Sequence, residues 1–239
     1  MINVVIPASG VGSRFGADVP KQFLELKGEP ILKRTISAFQ NLDMIDEIAV
    51  AVAPEYAQMV ENFGFNKVRH IVEGGQDRAS SVYAALKCLP KNTGIVLIHD
   101  GVRPFVTRSL TQAVVVAVKQ HGAAVACTPV TDTVKKIDSD KKITETIDRS
   151  LLWSAQTPQG FTYDIIMKAY QMAEQDDILG QITDDSALVE RMGIPVYAVR
   201  SDYLNMKITT KTDLIIAEAY MGITDNFNDH PYFKDLWGE

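Results

Sequence analysis

Near its start the chain runs a short β-branched segment, Val4-Val5-Ile6, straight into Pro7-Ala8-Ser9-Gly10-Val11-Gly12-Ser13-Arg14-Phe15-Gly16, with Pro20-Lys21-Gln22 close behind. Such a run reads as a buried strand whose carboxyl end opens onto a ligand. Gly10, Gly12 and Gly16 carry no Cβ, so backbone N–H groups can approach something bulky and negative. Arg14 and Lys21 place cations in the same loop, which suits a polyphosphate. Taken alone, glycines after a strand also mark nothing more than a tight turn. Spacing rules out the familiar phosphate loops. The dinucleotide fingerprint G-x-G-x-x-G needs glycine where Phe15 stands. A Walker A loop needs one more residue between Gly12 and Gly16, and a lysine in place of Ala17.

Downstream, apolar spacing alternates between helical and strand-like. A helix is expected over Pro30–Phe39, a strand over Ile45–Ala53, a helix over Tyr56–Phe63 and a strand over Val68–Val72. Further strands are expected at 95–98, 123–127 and 196–199, with helices over 110–121, 163–173, 183–190 and 213–220. Alternation of this kind predicts an α/β fold: a Rossmann-like, doubly wound, mostly parallel sheet, with ligands at the carboxyl ends of its strands.

Two further segments fall at such strand ends. Glu73-Gly74-Gly75-Gln76-Asp77-Arg78-Ala79-Ser80-Ser81 opens a helix, where N–H groups favour an acceptor-rich ligand, although a turn and an ordinary N-cap would use the same residues. The second is His99-Asp100-Gly101-Val102-Arg103-Pro104, which follows Ile95–Ile98. Asp100 either caps the following turn, helps hold Mg²⁺, or orients an acceptor; magnesium needs few carboxylates when substrate phosphates supply the other oxygens. His99 reads as structural. Lys207 sits in a near-apolar segment read as a strand, an expensive place for an ammonium unless it faces an anion.

The pattern breaks at 129–150. Two Thr-rich, β-branched stretches flank the polar turn Asp138–Lys142, which reads as a protruding β-hairpin arm. A lone hairpin is marginal in water, so the arm needs a partner surface, and a second copy of the chain is the simplest. Arg149 at its return would, on its own, be read as a solvated charge, and Trp153 as core. The domain is expected to span 1–222, leaving 223–239 as an aromatic, acidic tail.

Composition narrows the function. A net charge of −6 argues against nucleic acid or an anionic membrane as the main partner, so clustered cations are local features. Cys88 and Cys127 are the only cysteines, too few for a thiolate metal site or a disulfide scaffold, and both read as small core residues. Met1 leads directly into a core strand and no apolar run is long enough to span a bilayer, from which a cytoplasmic protein is expected.

Together, Pro7–Gly16 with Pro20-Lys21-Gln22-Phe23, Gly74-Gly75-x-x-Arg78-x-x-Ser81-Val82, His99-Asp100-x-x-Arg103-Pro104, Asp148-Arg149-x-x-Leu152-Trp153 and Asn205-x-Lys207-x-Thr209 resemble the cytidylyltransferases acting on 2-C-methyl-D-erythritol 4-phosphate. The resemblance covers nearly everything from Met1 to Gly222 and leaves the tail unmatched. It implies transfer of CMP from CTP to the polyol phosphate with release of pyrophosphate, and an arm-exchanged homodimer. It also implies site residues. Pro7, Ala8, Ser9, Gly10, Gly12, Gly74, Gly75 and Ser81 would bind nucleotide. Asp100, Arg103, Thr133 and Thr157 would bind the acceptor, with Asp100 also at a divalent metal. Arg14, Lys21, Arg149 and Lys207 would act on the reacting phosphates. Arg78 would support its loop. The sister activity on ribitol 5-phosphate shares several of these motifs, and a non-catalytic nucleotide-binding protein is the rival from another class. An oxidoreductase is disfavoured by the glycine spacing.

Overall fold

A computed structural model describes residues 1–10 and 19–226. Gly12 and Arg14 of the opening loop, and the tail beyond Asn226, lie outside the described residues. In chain order the elements are β1 (Ile2–Pro7), β2 (Glu25–Leu26), β3 (Glu29–Pro30), α1 (Ile31–Gln40), β4 (Glu47–Val52), α2 (Ala57–Glu61), β5 (Val68–Glu73), α3 (Arg78–Cys88) and β6 (Ile95–Ile98). Then follow α4 (Arg108–His121), β7 (Ala123–Pro129), β8 (Val134–Ile137), β9 (Ile143–Ile147), β10 (Trp153–Thr162), α5 (Tyr163–Gln175), α6 (Asp185–Arg191), β11 (Tyr197–Arg200) and α7 (Lys211–Asn226).

The main sheet has seven strands in the order β11-β7-β10-β6-β1-β4-β5. All neighbours are parallel except β10, which runs antiparallel between β6 and β7. Alternation along each strand explains the layers. Val4 and Ile6 of β1, with Ile48, Val50 and Val52 of β4, pack under α1 and α4. Val5, Ala49 and Ala51 face the other way, onto α3, α5 and α6. A strand buried on both faces reads as a continuous aliphatic run, as Ile95-Val96-Leu97-Ile98 does. The expected α/β, doubly wound, mostly parallel sheet is what the chain forms.

A smaller apolar cluster positions the site. Leu26, Ile31, Val102, Ile208 and Ala217 are buried together, tying α7 and the segment before it to the loop after β6. The Ile208 amide also donates to the Val102 carbonyl at 2.9 Å. The arm stands apart as its own two-stranded sheet, β8 against β9.

Local expectations need correcting in four places. The helix after β4 is only five residues long, preceded by a 3₁₀ turn at Pro54–Tyr56. The Lys207 segment is irregular rather than a strand: its Asn205 carbonyl and Ile208 amide bond to the loop after β6, and the Asn205 side chain bonds to β10, instead of its backbone pairing with a sheet edge. Trp153 is 43% exposed, since it begins β10 opposite Pro129, beyond the reach of the covering helices. Cys88 is exposed at the last turn of α3, while Cys127 is buried as expected. Among the described residues no helix is long and apolar enough to cross a membrane.

Candidate functional site

The carboxyl ends of β1, β5 and β6 open onto a cavity of about 350 Å³. Pro7, Ala8, Ser9 and Gly10 form one wall, Gly75 to Arg78 another, and Lys21, Asp100 and Lys207 face the same space. Four sequence segments separated by many residues therefore converge, three of them at strand ends as the strand-end rule requires.

Two of those segments interlock. A Cβ on Gly74 would lie 2.2 Å from the Ser9 Cβ, so only glycine lets the loops approach this closely. Ser81 Oγ donates to the Asp77 carbonyl at 2.7 Å and sits 2.6 Å from the Ser9 hydroxyl. Ser81 is wholly buried, and neither it nor Gly74 lines the cavity; both lock its walls together. Asp77 caps α3, its Oδ1 accepting from the Ser80 amide at 2.7 Å.

Gln22, given no role by its sequence motif, carries the opening loop. Its Nε2 donates to the carbonyls of Ala8 at 2.6 Å and Gly10 at 3.0 Å, and the residue is almost fully buried. The 3₁₀ turn Lys21–Phe23 is anchored in turn by Phe23, which stacks on Tyr56 with ring centroids 4.2 Å apart. Lys21 is thereby delivered to the cavity by its two neighbours. The one signal in the sequence was a long amide placed directly beside an expected phosphate-binding lysine.

Asp100 is the electrostatic centre. Its Oδ1 accepts from Arg78 Nε at 3.0 Å, and its Oδ2 meets Lys207 Nζ at 2.9 Å and Arg103 Nε at 3.5 Å. Burial alone would raise its pKa, but Arg78, Lys207 and Arg103 outweigh that and hold the carboxyl well below the usual range. Arg78, expected only to support a loop, instead lines the cavity and bridges Asp100 to Asp185. Arg103, expected at the acceptor phosphate, sits beneath the cavity wall; its Nη1 donates to the Asn205 carbonyl at 2.7 Å. That bond helps fix the segment bearing Lys207, as do Asn205 Nδ2 bonds to Gln156 Oε1 and the Thr157 carbonyl.

Thr157 supports Asp100 from behind. The pairing of β10 with β7 shifts register between Ala155 and Gln159, re-aiming Thr157 toward the end of β6. The Asp100 amide donates to Thr157 Oγ1 at 3.1 Å. Because His99 Nε2 lies 3.0 Å from the Arg103 carbonyl, that nitrogen carries the proton. Nδ1 is then the acceptor for the Thr157 hydroxyl, 3.1 Å away. His99 is a buried structural link, as expected. Thr133 and Arg149 are not brought to the cavity: both are exposed beside the arm, and Arg149 Nη1 donates to the Thr131 carbonyl.

The donor set speaks against Asp100 as a protein-held magnesium ligand. Both of its oxygens already face cations, and the described residues contain no group of three or more His, Cys, Asp or Glu able to hold a metal. A divalent ion would have to take its oxygens from the triphosphate.

The His99 link makes stability pH-dependent. Desolvation, opposed by its bond to the Arg103 carbonyl, pushes the imidazole pKa down to about 4, against roughly 6.5 in an unfolded chain. Between those values the unfolded state binds more protons, so stability is lost as pH falls from the unfolded value toward the folded one. Urea unfolding should show the protein weaker at pH 5 than at pH 7 by about 2 kcal/mol. A folded His99→Gln variant should lack that slope; an equal slope in the variant would assign it elsewhere.

Comparison with known proteins places this geometry in a family. The model of the family described as IspD, 2-C-methyl-D-erythritol 4-phosphate cytidylyltransferase, matches residues 2–223. A relative bearing that enzyme name from Syntrophus aciditrophicus is 45% identical over 222 residues, covering 91% of this chain and 94% of the relative. One from Geobacter metallireducens is 43% identical over 225 residues, covering 91% and 96%. The crystal structure of 4-diphosphocytidyl-2C-methyl-D-erythritol synthase from Anaerococcus prevotii is similar with a TM-score of 0.83 at 31% identity, covering 92% of this chain and 96% of that one. The Francisella tularensis cytidylyltransferase structure gives a TM-score of 0.80 at 30% identity, covering 91% and 98%. Matched over nearly its whole length, the chain belongs to the 2-C-methyl-D-erythritol 4-phosphate cytidylyltransferase family.

Proposed function

We propose that the cavity is where this cytidylyltransferase brings CTP and its acceptor together, with Lys21 and Lys207 as the cations that act on the reacting phosphates. The enzyme transfers CMP from CTP to 2-C-methyl-D-erythritol 4-phosphate, a step in isoprenoid precursor synthesis. An acceptor phosphate oxygen attacks the α-phosphorus. A new P–O bond forms as the bond from the α-phosphorus to the bridging oxygen breaks, and pyrophosphate leaves with the electron pair. The nucleophile is already anionic, so no general base is needed. What the protein must do is hold two polyanions in line and balance the charge gathering at phosphorus.

The observation that carries this reading is the meeting of Lys21 and Lys207 in one cavity with the backbone of Pro7 to Gly10. The strand-end loops suit the nucleotide, and Gly75 lets its loop close on the start of α3, where a Cβ would lie 2.3 Å from the Ser80 Cβ. Gly74 and Ser81 support that surface from behind, and Thr157 and Arg103 do the same for the acceptor side. Arg14 and Gly12, outside the described residues, are proposed on sequence grounds alone to meet the triphosphate. Magnesium is proposed to enter as part of the substrate, carried on phosphate oxygens.

A second copy of the chain is the proposed partner of the arm. Ile137 and Ile143 on the hairpin are 54% and 59% exposed, and Leu151 beside it is 82% exposed. Apolar surface of this kind on a marginal hairpin favours coverage by another protomer. In such a dimer, Arg149 and Thr133 of one protomer would serve the acceptor site of the other.

Pyrophosphate release with CTP tests the chemistry. Product should form with methylerythritol phosphate and far less with ribitol 5-phosphate; the reverse order would move the chain to the sister activity. Lys21→Ala should lower kcat by roughly a hundredfold, the scale of one lost transition-state donor, whereas near-normal turnover would remove Lys21 from the chemistry. Sedimentation should give a dimer that Ile143→Glu converts to monomer with weakened acceptor use, and a wild-type monomer with full activity would refute the arm's role.

A further inference from the structure

The reaction as described leaves one buried charge unused. Asp185, in the first turn of α6, is wholly buried. Its Oδ1 accepts from the Tyr170 hydroxyl of α5, and its Oδ2 accepts from Arg78 Nη2 at 2.7 Å. Tyr170 is itself wholly buried and stacked on Tyr83, with centroids 5.4 Å apart. The start of α6 is tied to β10 as well: Gln159 Nε2 donates to Asp184 Oδ2 at 2.7 Å, and its Oε1 accepts from the Ser186 amide at 3.1 Å. Asp185 is thus held by two side chains at an anchored helix start.

A buried ion pair is a poor device for stability, because apolar side chains of similar volume often serve as well. What this one fixes is an orientation. Arg78 spans two carboxylates, giving Nη2 to Asp185 and Nε to Asp100 Oδ1. With Oδ1 engaged, Oδ2 is the oxygen left to face Lys207 at 2.9 Å. The charges also balance differently without it. Arg78, Arg103 and Lys207 face Asp100 and Asp185; removing one anion would leave Arg78 with Asp100 alone and let it compete with Lys207 for both oxygens.

We infer that Asp185 is a positioning residue: through Arg78 it sets the orientation of the Asp100 carboxylate, and so the place of the Lys207 ammonium in the cavity, with Tyr170 holding Asp185 in register. The inference rests on the assignment of Lys207 made above.

The test compares pyrophosphate release by wild type, Asp185→Asn, Lys207→Ala and the double variant. Asp185→Asn alone should lower kcat roughly tenfold or more, with the KM for CTP little changed, and should add much less once Lys207 is absent, as members of one network do. Equal losses in both backgrounds would show a general structural effect and overturn the inference. Should Asp185→Asn fail to fold, Tyr170→Phe removes only the hydroxyl and should give a smaller loss with the same dependence on Lys207. A crystal structure of the folded variant decides the orientation separately. A rotated Asp100 carboxylate with Lys207 displaced supports the inference, and an unchanged Arg78–Asp100–Lys207 arrangement refutes it. Undiminished turnover in Lys207→Ala would instead strike at the assignment of Lys207, leaving the structural comparison to judge Asp185.

Discussion

One carboxylate at the end of β6 holds this site together. Arg78 comes from α3, Arg103 from the loop after β6 and Lys207 from the segment before α7, and all three meet Asp100 within 3.5 Å. Cations gathered this closely repel one another and would not stay desolvated without an anion between them. Asp100 therefore permits a cationic cavity in a chain whose net charge is −6. With both oxygens facing cations, the same carboxylate is proposed not to serve as a metal ligand.

The fold converts that interaction into a shaped cavity. Glycine at position 74 lets the β5 loop press against Ser9, Gln22 pins the backbone of the opening loop, and Thr157 steadies the Asp100 amide from an irregular stretch of β10. Ile208 and Ala217, packed with Val102, hold the Lys207 segment against the same loop. None of these contacts needs a ligand. Binding two polyanions would thus meet groups already in place, which limits the reorganisation required as charge develops.

Much of this was legible in the sequence because it follows from periodicity. Val4-Val5-Ile6 and Ile95–Ile98 could be read as doubly covered strands, and the strand-end rule then brought Gly75, Asp100 and the opening loop together. The arm was legible from its alternating Thr-rich stretches. What could not be read was direction and depth. The antiparallel course of β10 depends on long-range pairing, and nothing local distinguishes Trp153, exposed at its start, from a core tryptophan. Lys207 was found for the right reason, a cation among apolar residues, although its backbone proved irregular. Arg78 and Arg103 carry the same guanidinium, yet one lines the cavity and the other lies beneath it, a difference set by partners far away in sequence. Asp185 and Gln22 were hidden because single polar residues beside a helix cap or a lysine carry no period.

Asp100 is proposed to organise cations and not to bind the metal. The direct measurement is the magnesium dependence of turnover by Asp100→Asn. The maximal rate should fall by roughly a hundredfold, as when transition-state stabilisation is lost, with the magnesium concentration for half-maximal rate unchanged. A variant whose magnesium requirement rises, and whose rate returns when excess magnesium is supplied, would contradict it.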